Sequence, residues 1–372
     1  MDPTTVFCPN LACSARGQTG QGNIGIHSRK DKRFLCTACH KTFSATKGTA
    51  FYRRRIAAET VTLVVTVLAH GCPPHAIVVA FALAYARGTV RRWLARGGGQ
   101  GQAVQAHLVE QPRDLGQVQA DEIRGKKQGG IVWMALAMMV KPRLWLGGEV
   151  SEQRDMALIR RLVERVKRCA ARCPLLICTD GLVAYIRAMR ETFRDPVHPG
   201  KDGRPRLRPW RHVLIAQVVK RYERRRVVET DRRMIDGTPA RVETLRRRSQ
   251  GEGVSNTASI ARLNATFRER LAPLARRSRA LARRTLTLQQ GRYLIGTIDN
   301  FCTPHASLGL ATLGADRRRA PQTPAMAAGI TDHCWSVQHL LSYHVPPPRW
   351  TPPTQRGRPS RALRRLIERW CS

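Results

Sequence analysis

The sequence predicts a mixed α/β protein: a sheet-bearing core preceded by a small cysteine module and a unit of three helices. Three observations predict it. Two cysteine pairs crowd residues 1–50. Apolar residues recur at helical spacing through 51–97. From about 115 to 300, short apolar runs alternate with helix-like periodicity. Gly97-Gly98-Gly99 reads as punctuation, so 98–114 is expected to be a linker. A basic insertion is expected at about 194–250, and 301–372 reads as a basic, Pro-rich tail.

Composition restricts the partner. The chain of 372 residues carries 65 Lys plus Arg against 26 Asp plus Glu, a formal charge of +39, with an ordinary hydrophobic fraction of 42%. Such a surface attracts polyanions, and nucleic acid gains most from it because each neutralised phosphate releases counterions. No apolar run reaches the roughly 20 residues needed to span a bilayer. The opening stretch lacks the basic and apolar regions of a signal peptide. A protein of the reducing cytoplasm is expected, in which the 11 cysteines are free thiols or metal ligands.

The cysteine module has the form Cys8-x4-Cys13 followed by Cys36-x2-Cys39. Two short pairs suit two knuckles around tetrahedral zinc, and the ion supplies folding energy that so small a module lacks. Four buried free thiols are the plainer alternative. Cys169, Cys173 and Cys178 sit in apolar contexts and read as core.

The helical unit begins with an apolar helix over 56–70, broken by Gly71-Cys72-Pro73-Pro74. A second helix runs through 77–84, and Gly88-Thr89 is placed to cap a third over 90–96. Val90, Trp93 and Leu94 would face inward and Arg91, Arg92 and Arg96 outward. A basic third helix is how a helix-turn-helix enters a major groove, which makes Thr89, Arg91, Arg92 and Arg96 candidate DNA contacts. A plain three-helix bundle with a solvated basic face is the alternative.

In the core, strands are expected at 117–123, 131–140 and 144–150, joined closely enough to form an antiparallel meander. A helix follows through Met156 to Cys169, then an apolar strand over 175–178 and a helix with Val183, Ile186 and Met189. Asp121 lies within the first of these strands, and Asp180 ends the fourth. Carboxylates on neighbouring strands can hold a divalent ion for phosphoryl transfer. Equally, Asp180-Gly181 can be a simple turn and Asp121 one end of a salt bridge. Glu122 alternates to the other face of its strand from Asp121.

Arginine is dense from Phe193 to Gln250, including Arg221, Arg224, Arg225, Arg226 and Arg246 to Arg248. A helix over 261–284 is expected to add Arg276, Arg277, Arg279, Arg283 and Arg284. Gly203-Arg204-Pro205 and Arg356-Gly357-Arg358-Pro359 have the form of minor-groove segments, with Arg356 and Arg358 meeting the narrow groove of A·T-rich DNA. A motif this short also arises by chance in so basic a chain.

Taken together, these strings resemble an insertion-sequence transposase of the DDE type, with an N-terminal zinc ribbon and helix-turn-helix. The ribbon string is Cys36-Thr37-Ala38-Cys39 with Thr42-Phe43-Ser44. The core strings are Gln119-Ala120-Asp121-Glu122, Cys178-Thr179-Asp180-Gly181-Leu182 and Arg262-Leu263-Asn264-Ala265-Thr266-Phe267-Arg268. Asn300-Phe301-Cys302-Thr303-Pro304-His305 and Thr323-Pro324-Ala325-Met326 extend the resemblance toward the C-terminus. It implies a ribonuclease-H-like core, binding of terminal inverted repeats in double-stranded DNA, strand transfer with Mg²⁺ or Mn²⁺ at Asp121 and Asp180, and Zn²⁺ in the ribbon. It further implies a homodimer or higher oligomer on DNA, nucleoid-associated in the cytoplasm.

Two positions depart from the family. Its third acid, a helical Glu, is replaced by Ala261, and a methyl group ligates nothing. Glu269 is eight residues on and points elsewhere, while Glu252 lies in the preceding loop. Asp299 stands where the family usually has Tyr, and a lone buried acid there would destabilise. A DNA binder with crippled cutting is therefore expected. The rival readings are a DNA-binding regulator without chemistry and a nuclease that cuts without joining.

Overall fold

The computed structural model describes residues 1–81, 87–197, 205–224, 226–251, 254–276, 279–311, 319–354 and 357–371. In chain order, a small sheet of β1 (Ile24–Ser28), β2 (Arg33–Cys36) and β3 (Thr42–Ser44) precedes helices α1 (Ala58–Ala69), α2 (Pro74–Ala80) and α3 (Arg87–Val104). Strands β4 (Gln117–Lys127), β5 (Gly130–Met139) and β6 (Leu144–Ser151) follow, then α4 (Met156–Cys169), β7 (Leu175–Thr179) and α5 (Val183–Thr192). A hairpin of β8 (Arg194–Val197) and β9 (Arg206–Pro209) leads to β10 (Val213–Glu223) and β11 (Arg226–Asp236). Helices α6 (Pro239–Gln250), α7 (Ala258–Arg270), α8 (Thr285–Cys302), α9 (Pro324–Ala327), α10 (Val337–Ser342) and α11 (Arg361–Trp370) come after. Two compact units result, one of residues 1–58 with 341–372 and one of 59–340. Among the described residues, no helix is long and apolar enough to cross a membrane.

The larger unit is mixed α/β, built on a six-stranded sheet in the order β11-β10-β7-β4-β5-β6. The expected meander is present: β4–β5 and β5–β6 pair antiparallel. β7 then joins the free side of β4 in parallel, and β10 joins β7 in parallel. Helices cover both faces. On one, Ile123, Met134 and Leu136 pack with Trp145, Ile260, Leu263 and Phe267. The opposite face receives α4, whose Leu158, Ile159, Leu162, Val163 and Val166 are buried at the spacing the sequence predicts. Asp155 starts that helix by accepting the Leu158 N–H at 2.9 Å.

Four expectations are corrected in this unit. Gly97-Gly98-Gly99 is not a linker, because it lies inside α3, which runs to Val104 and continues as a π-helical turn over Gln105–Val109. The reason is packing. A Cβ on Gly98 would lie 2.3 Å from Gln290 O, and one on Gly101 would lie 2.6 Å from Thr297 Oγ1, so these glycines let α3 press against α8. Thr89 does not cap this helix, which already includes Arg87 and Gly88. The expected 261–284 helix ends at Arg270, because Pro273 cannot continue it and a 3-10 turn at Ala272–Leu274 follows. The basic insertion is not separate from the sheet, since β10 and β11 within it are two of the six strands.

The smaller unit joins the N-terminal module to the end of the chain. Residues 341–371 are therefore not a free tail. Trp370 is buried with Cys8, Cys13, Cys36, Phe34 and Phe43, and Trp350 packs against the same cluster. Polar contacts hold the joint: Arg16 Nε donates to Pro348 O at 2.9 Å, and Gln18 Nε2 donates to Trp370 O at 2.8 Å. Within residues 341–371 lies the helix α11, capped by Ser360, which accepts the Leu363 N–H.

Candidate metal centres

The four sulfurs come from two loops brought together by the small sheet. Register pairs Ile24 with Cys36 and Phe34 with Phe43, which places the Cys36–Cys39 turn at one end of β2. Cys8 Sγ lies 3.7 Å from Cys39 Sγ, and Cys13 Sγ lies 3.9 Å from Cys36 Sγ. All four lie within 4.8 Å of one another, a set that can hold a metal ion such as zinc. Burial raises the Cys8 and Cys13 thiols, that of Cys13 to about 11. At Cys39 burial acts in the same direction, but hydrogen bonds from Asn10 and the Lys41 backbone outweigh it and bring the thiol down to about 7. A cation would reverse the cost of burying four thiolates, which is what such a donor set is suited to.

The second cluster stands on the large sheet. β4 and β7 pair in parallel up to Gln119–Cys178, and both chains continue beyond that rung to Asp121 and Asp180. One oxygen each from Asp121, Glu122 and Asp180 lie within 4.8 Å of one another, a set that can also hold a metal ion. Glu122 thus corrects an expectation. It belongs to the opposite face of β4 from Asp121, as alternation requires, yet its longer side chain still reaches the cluster.

Neighbouring groups hold these carboxylates in place. Asp121 Oδ2 accepts from Asn264 Nδ2 at 2.7 Å, and Asp121 Oδ1 accepts the Glu122 N–H at 2.8 Å. Asp180 Oδ1 accepts the Leu182 N–H at 3.1 Å. Arg154 donates twice to Glu122 Oε2, at 3.1 and 2.7 Å, and lies 3.5 Å from Asp180 Oδ2. Its guanidinium also stacks over Trp133. Burial, and then repulsion from Asp180, raises the carboxyls of Asp121 and Glu122 above their ordinary values. Around them, the buried Tyr185 hydroxyl interacts with Glu122, and Asn264 Oδ1 is buried without a hydrogen-bond partner among the described residues. A buried unsatisfied oxygen beside like-charged carboxylates fits a bound cation.

The remaining expected residues fall as follows. Ala261 is exposed on α7, one turn before the buried Asn264. Glu269, on the same helix, is exposed and is not part of the cluster. Glu252 lies outside the described residues. Asp299 is not alone: Arg270 Nη1 is 3.6 Å from one of its oxygens and His305 Nε2 is 3.5 Å from the other. Sequence reasoning missed Asn264, Arg154 and Tyr185. Of these, only Asn264 left a signal, because it follows position 261 by one helical turn.

Two basic surfaces accompany the clusters. On α3, Arg91, Arg92 and Arg96 are exposed while Val90 and Trp93 are buried, as the sequence predicts, but Leu94, expected to face inward with them, is only half-buried. Thr89 Oγ1 accepts from Arg92. Beyond the sheet edge, β10 and β11 run on as a two-stranded ribbon that is exposed on both faces from Lys220 to Arg233 apart from Thr230, with Arg225 outside the described residues. Lys220, Arg221, Arg226, Arg232 and Arg233 decorate it. Arg358 is exposed, and Arg356 and the Gly203-Arg204 pair lie outside the described residues. Compared with known proteins, the chain matches no family model and no curated protein.

Proposed function

We propose that the chain is a DNA transposase of the DDE type, with a ribonuclease-H-like core, whose cutting is impaired by the loss of its third acid. The observation that carries this reading is the meeting of Asp121, within β4, and Asp180, just past the end of β7, beyond the last rung of their parallel pairing, with oxygens within 4.8 Å. The sheet order supports it as well, since a three-strand meander is extended in parallel beyond its first strand. Mg²⁺ or Mn²⁺ bound there would polarise a phosphodiester and activate the attacking oxygen. Asn264 and the Leu182 N–H orient the two aspartates. Arg154 sets the position of Glu122. In the ribbon we propose Zn²⁺, because sulfur separations of 3.7 and 3.9 Å match the roughly 3.8 Å edge of a tetrahedron with Zn–S bonds of about 2.3 Å.

Double-stranded DNA is the proposed partner, engaged as terminal inverted repeats by an oligomer of the chain. The exposed arginines of α3 and the bare β10–β11 ribbon support this, because a major groove admits either a helix or a two-stranded ribbon. Ala261 offers no ligand, so the unaltered chain binds element ends and cuts them poorly. The test is nicking and joining of labelled ends with Mg²⁺ or Mn²⁺. Ala261→Glu is expected to raise strand cleavage by at least tenfold, on the order of one recovered charged interaction. Efficient cleavage by the unaltered chain with no gain in the variant would remove the impairment. Absence of DNA binding would remove the transposase reading altogether.

A further inference from the structure

The turn between β5 and β6 is built with an unsuitable residue. Val140-Lys141-Pro142-Arg143 reverses the chain, the Arg143 N–H donates to Val140 O at 3.2 Å, and Arg143 takes φ +57°. That left-handed conformation favours Gly or Asn, because a Cβ crowds the backbone there. At the opposite end of β5, the β4–β5 turn meets the same demand with Gly129 at φ +76°. Arg143 therefore carries backbone strain that its neighbour avoids. Strain of this kind persists where the side chain is put to use.

The Arg143 side chain lines a cleft of about 380 Å³ together with Lys141, Arg262, Ser249, Ser259, Ser307 and Asn256, and among the described residues no Asp or Glu lines it. Among the described residues, neither the Arg143 nor the Arg262 guanidinium has a hydrogen-bond or ion-pair partner. Burial, and then the proximity of Arg262, pushes Arg143 below its usual range. A narrower adjoining cleft of about 180 Å³ shares Arg143, Ser259 and Arg262 and does include Asp299. That carboxylate is already engaged by Arg270 and His305. Two neighbouring guanidiniums, a lysine and three hydroxyls, with no acid among the described residues of the larger cleft, form a site suited to an anion. The planar guanidinium fork matches phosphate oxygens in both charge and spacing.

We infer that this cleft is a phosphate site that grips the backbone of duplex DNA through Lys141, Arg143 and Arg262, alongside the helix that carries Asn264. It rests on the proposed DNA partner for the source of the phosphate, but not for the anion chemistry. The grip carries no sequence information; it fixes the register of the duplex on the large unit.

The test uses the full chain, Arg143→Gly and Arg262→Ala, with duplex affinity measured across a salt series and thermal melting followed with and without inorganic phosphate. Arg143→Gly relieves the turn, so it should melt at or above the temperature of the unaltered chain while binding duplex about tenfold more weakly. The salt slope should fall by about 0.9 for each phosphate no longer neutralised. Arg262→Ala should weaken binding similarly, and phosphate should protect the unaltered chain but not Arg143→Gly. Equal duplex affinity and slope in all three proteins would overturn the inference. If the unaltered chain binds no duplex yet phosphate protects it through Arg143, the DNA reading falls and the cleft stands as a site for a free phosphoryl group. Protection by neither ligand would overturn the cleft itself.

Discussion

The four-sulfur cluster and the carboxylate cluster draw their ligands from different kinds of structure. Cys8, Cys13, Cys36 and Cys39 come from turns flanking a sheet of short strands, within a small apolar cluster that includes Ile24, Phe34, Phe43 and Trp370. Asp121, Glu122 and Asp180 stand on a six-stranded sheet with a large core of its own. The sulfurs thus stand where a bound ion would help to hold their unit together. The carboxylates stand in a unit with a large apolar core of its own, and at a cost, since two of the three are pushed toward protonation by burial and by Asp180. The same ability to hold a cation would serve structure in one place and chemistry in the other.

Removing an ion or a ligand should therefore have opposite effects at the two sites. The largest effect is expected from Cys36→Ser, or from chelation. Binding of structural zinc is worth about 10–16 kcal/mol in small modules, so the smaller unit should unfold. Hydrogen exchange would read this directly: amides of β1, β2, β3 and α11 should lose protection together, while those of β4 to β7 keep theirs. Retained protection in β1–β3 would break the contrast. A smaller change of opposite sign is expected from Asp180→Asn. Without divalent ions, removing this charge relieves Asp121 and Glu122 and should stabilise the larger unit by ~0.5–1 kcal/mol, the size of an interaction between part-exposed charges. With Mn²⁺ present, the same variant should lose the ion-induced rise in melting temperature that the unaltered chain shows. A destabilised ion-free variant would mean that Asp180 is a structural partner of Arg154 instead.

The smallest effect is in pH. A carboxyl raised in the folded state keeps its proton longer there, so its contribution to stability is full below the unfolded value, about 3.9 for Asp and 4.3 for Glu, and is lost as pH rises through the folded value. Ion-free urea midpoints of the larger unit should therefore fall as pH rises from about 4, and Asp121→Asn should flatten that decline. Added Mn²⁺ should offset it increasingly at higher pH, because the ion binds the ionised carboxylates. A flat profile in the unaltered chain would sharpen the comparison differently, by making the carboxylate site as settled as the sulfur one.

Much of this was legible in the sequence where one local signal dominated. Periodicity marked α4 from Met156 to Cys169, the apolar run marked β7, and cysteine spacing marked all four sulfur ligands. Asp121 and Asp180 were visible as charges at strand sites. What stayed hidden depends on partners distant in sequence. Gly98 and Gly101 read as loop residues until α8 supplies the backbone they must clear. The run from Val213 to Val219 is a plain strand signal obscured by the arginines around it, and only β7 makes it part of the sheet. Asp299 read as a lone acid because Arg270 and His305 are brought to it by the fold. Alternation placed Glu122 on the correct face but gave no measure of how far its side chain reaches.

Trp370 has a consequence for how the protein is made. The cysteine module emerges early in synthesis, yet its core includes a residue from the far side of the entire sheet-bearing unit. At about 5–20 residues per second, tens of seconds separate Cys39 from Trp370. Throughout that interval the face formed by Phe34 and Phe43 has no cover from α11. The module emerges before the sheet-bearing unit and is completed only after it, and any product cut short before α11 carries its cysteine cluster with that apolar face open.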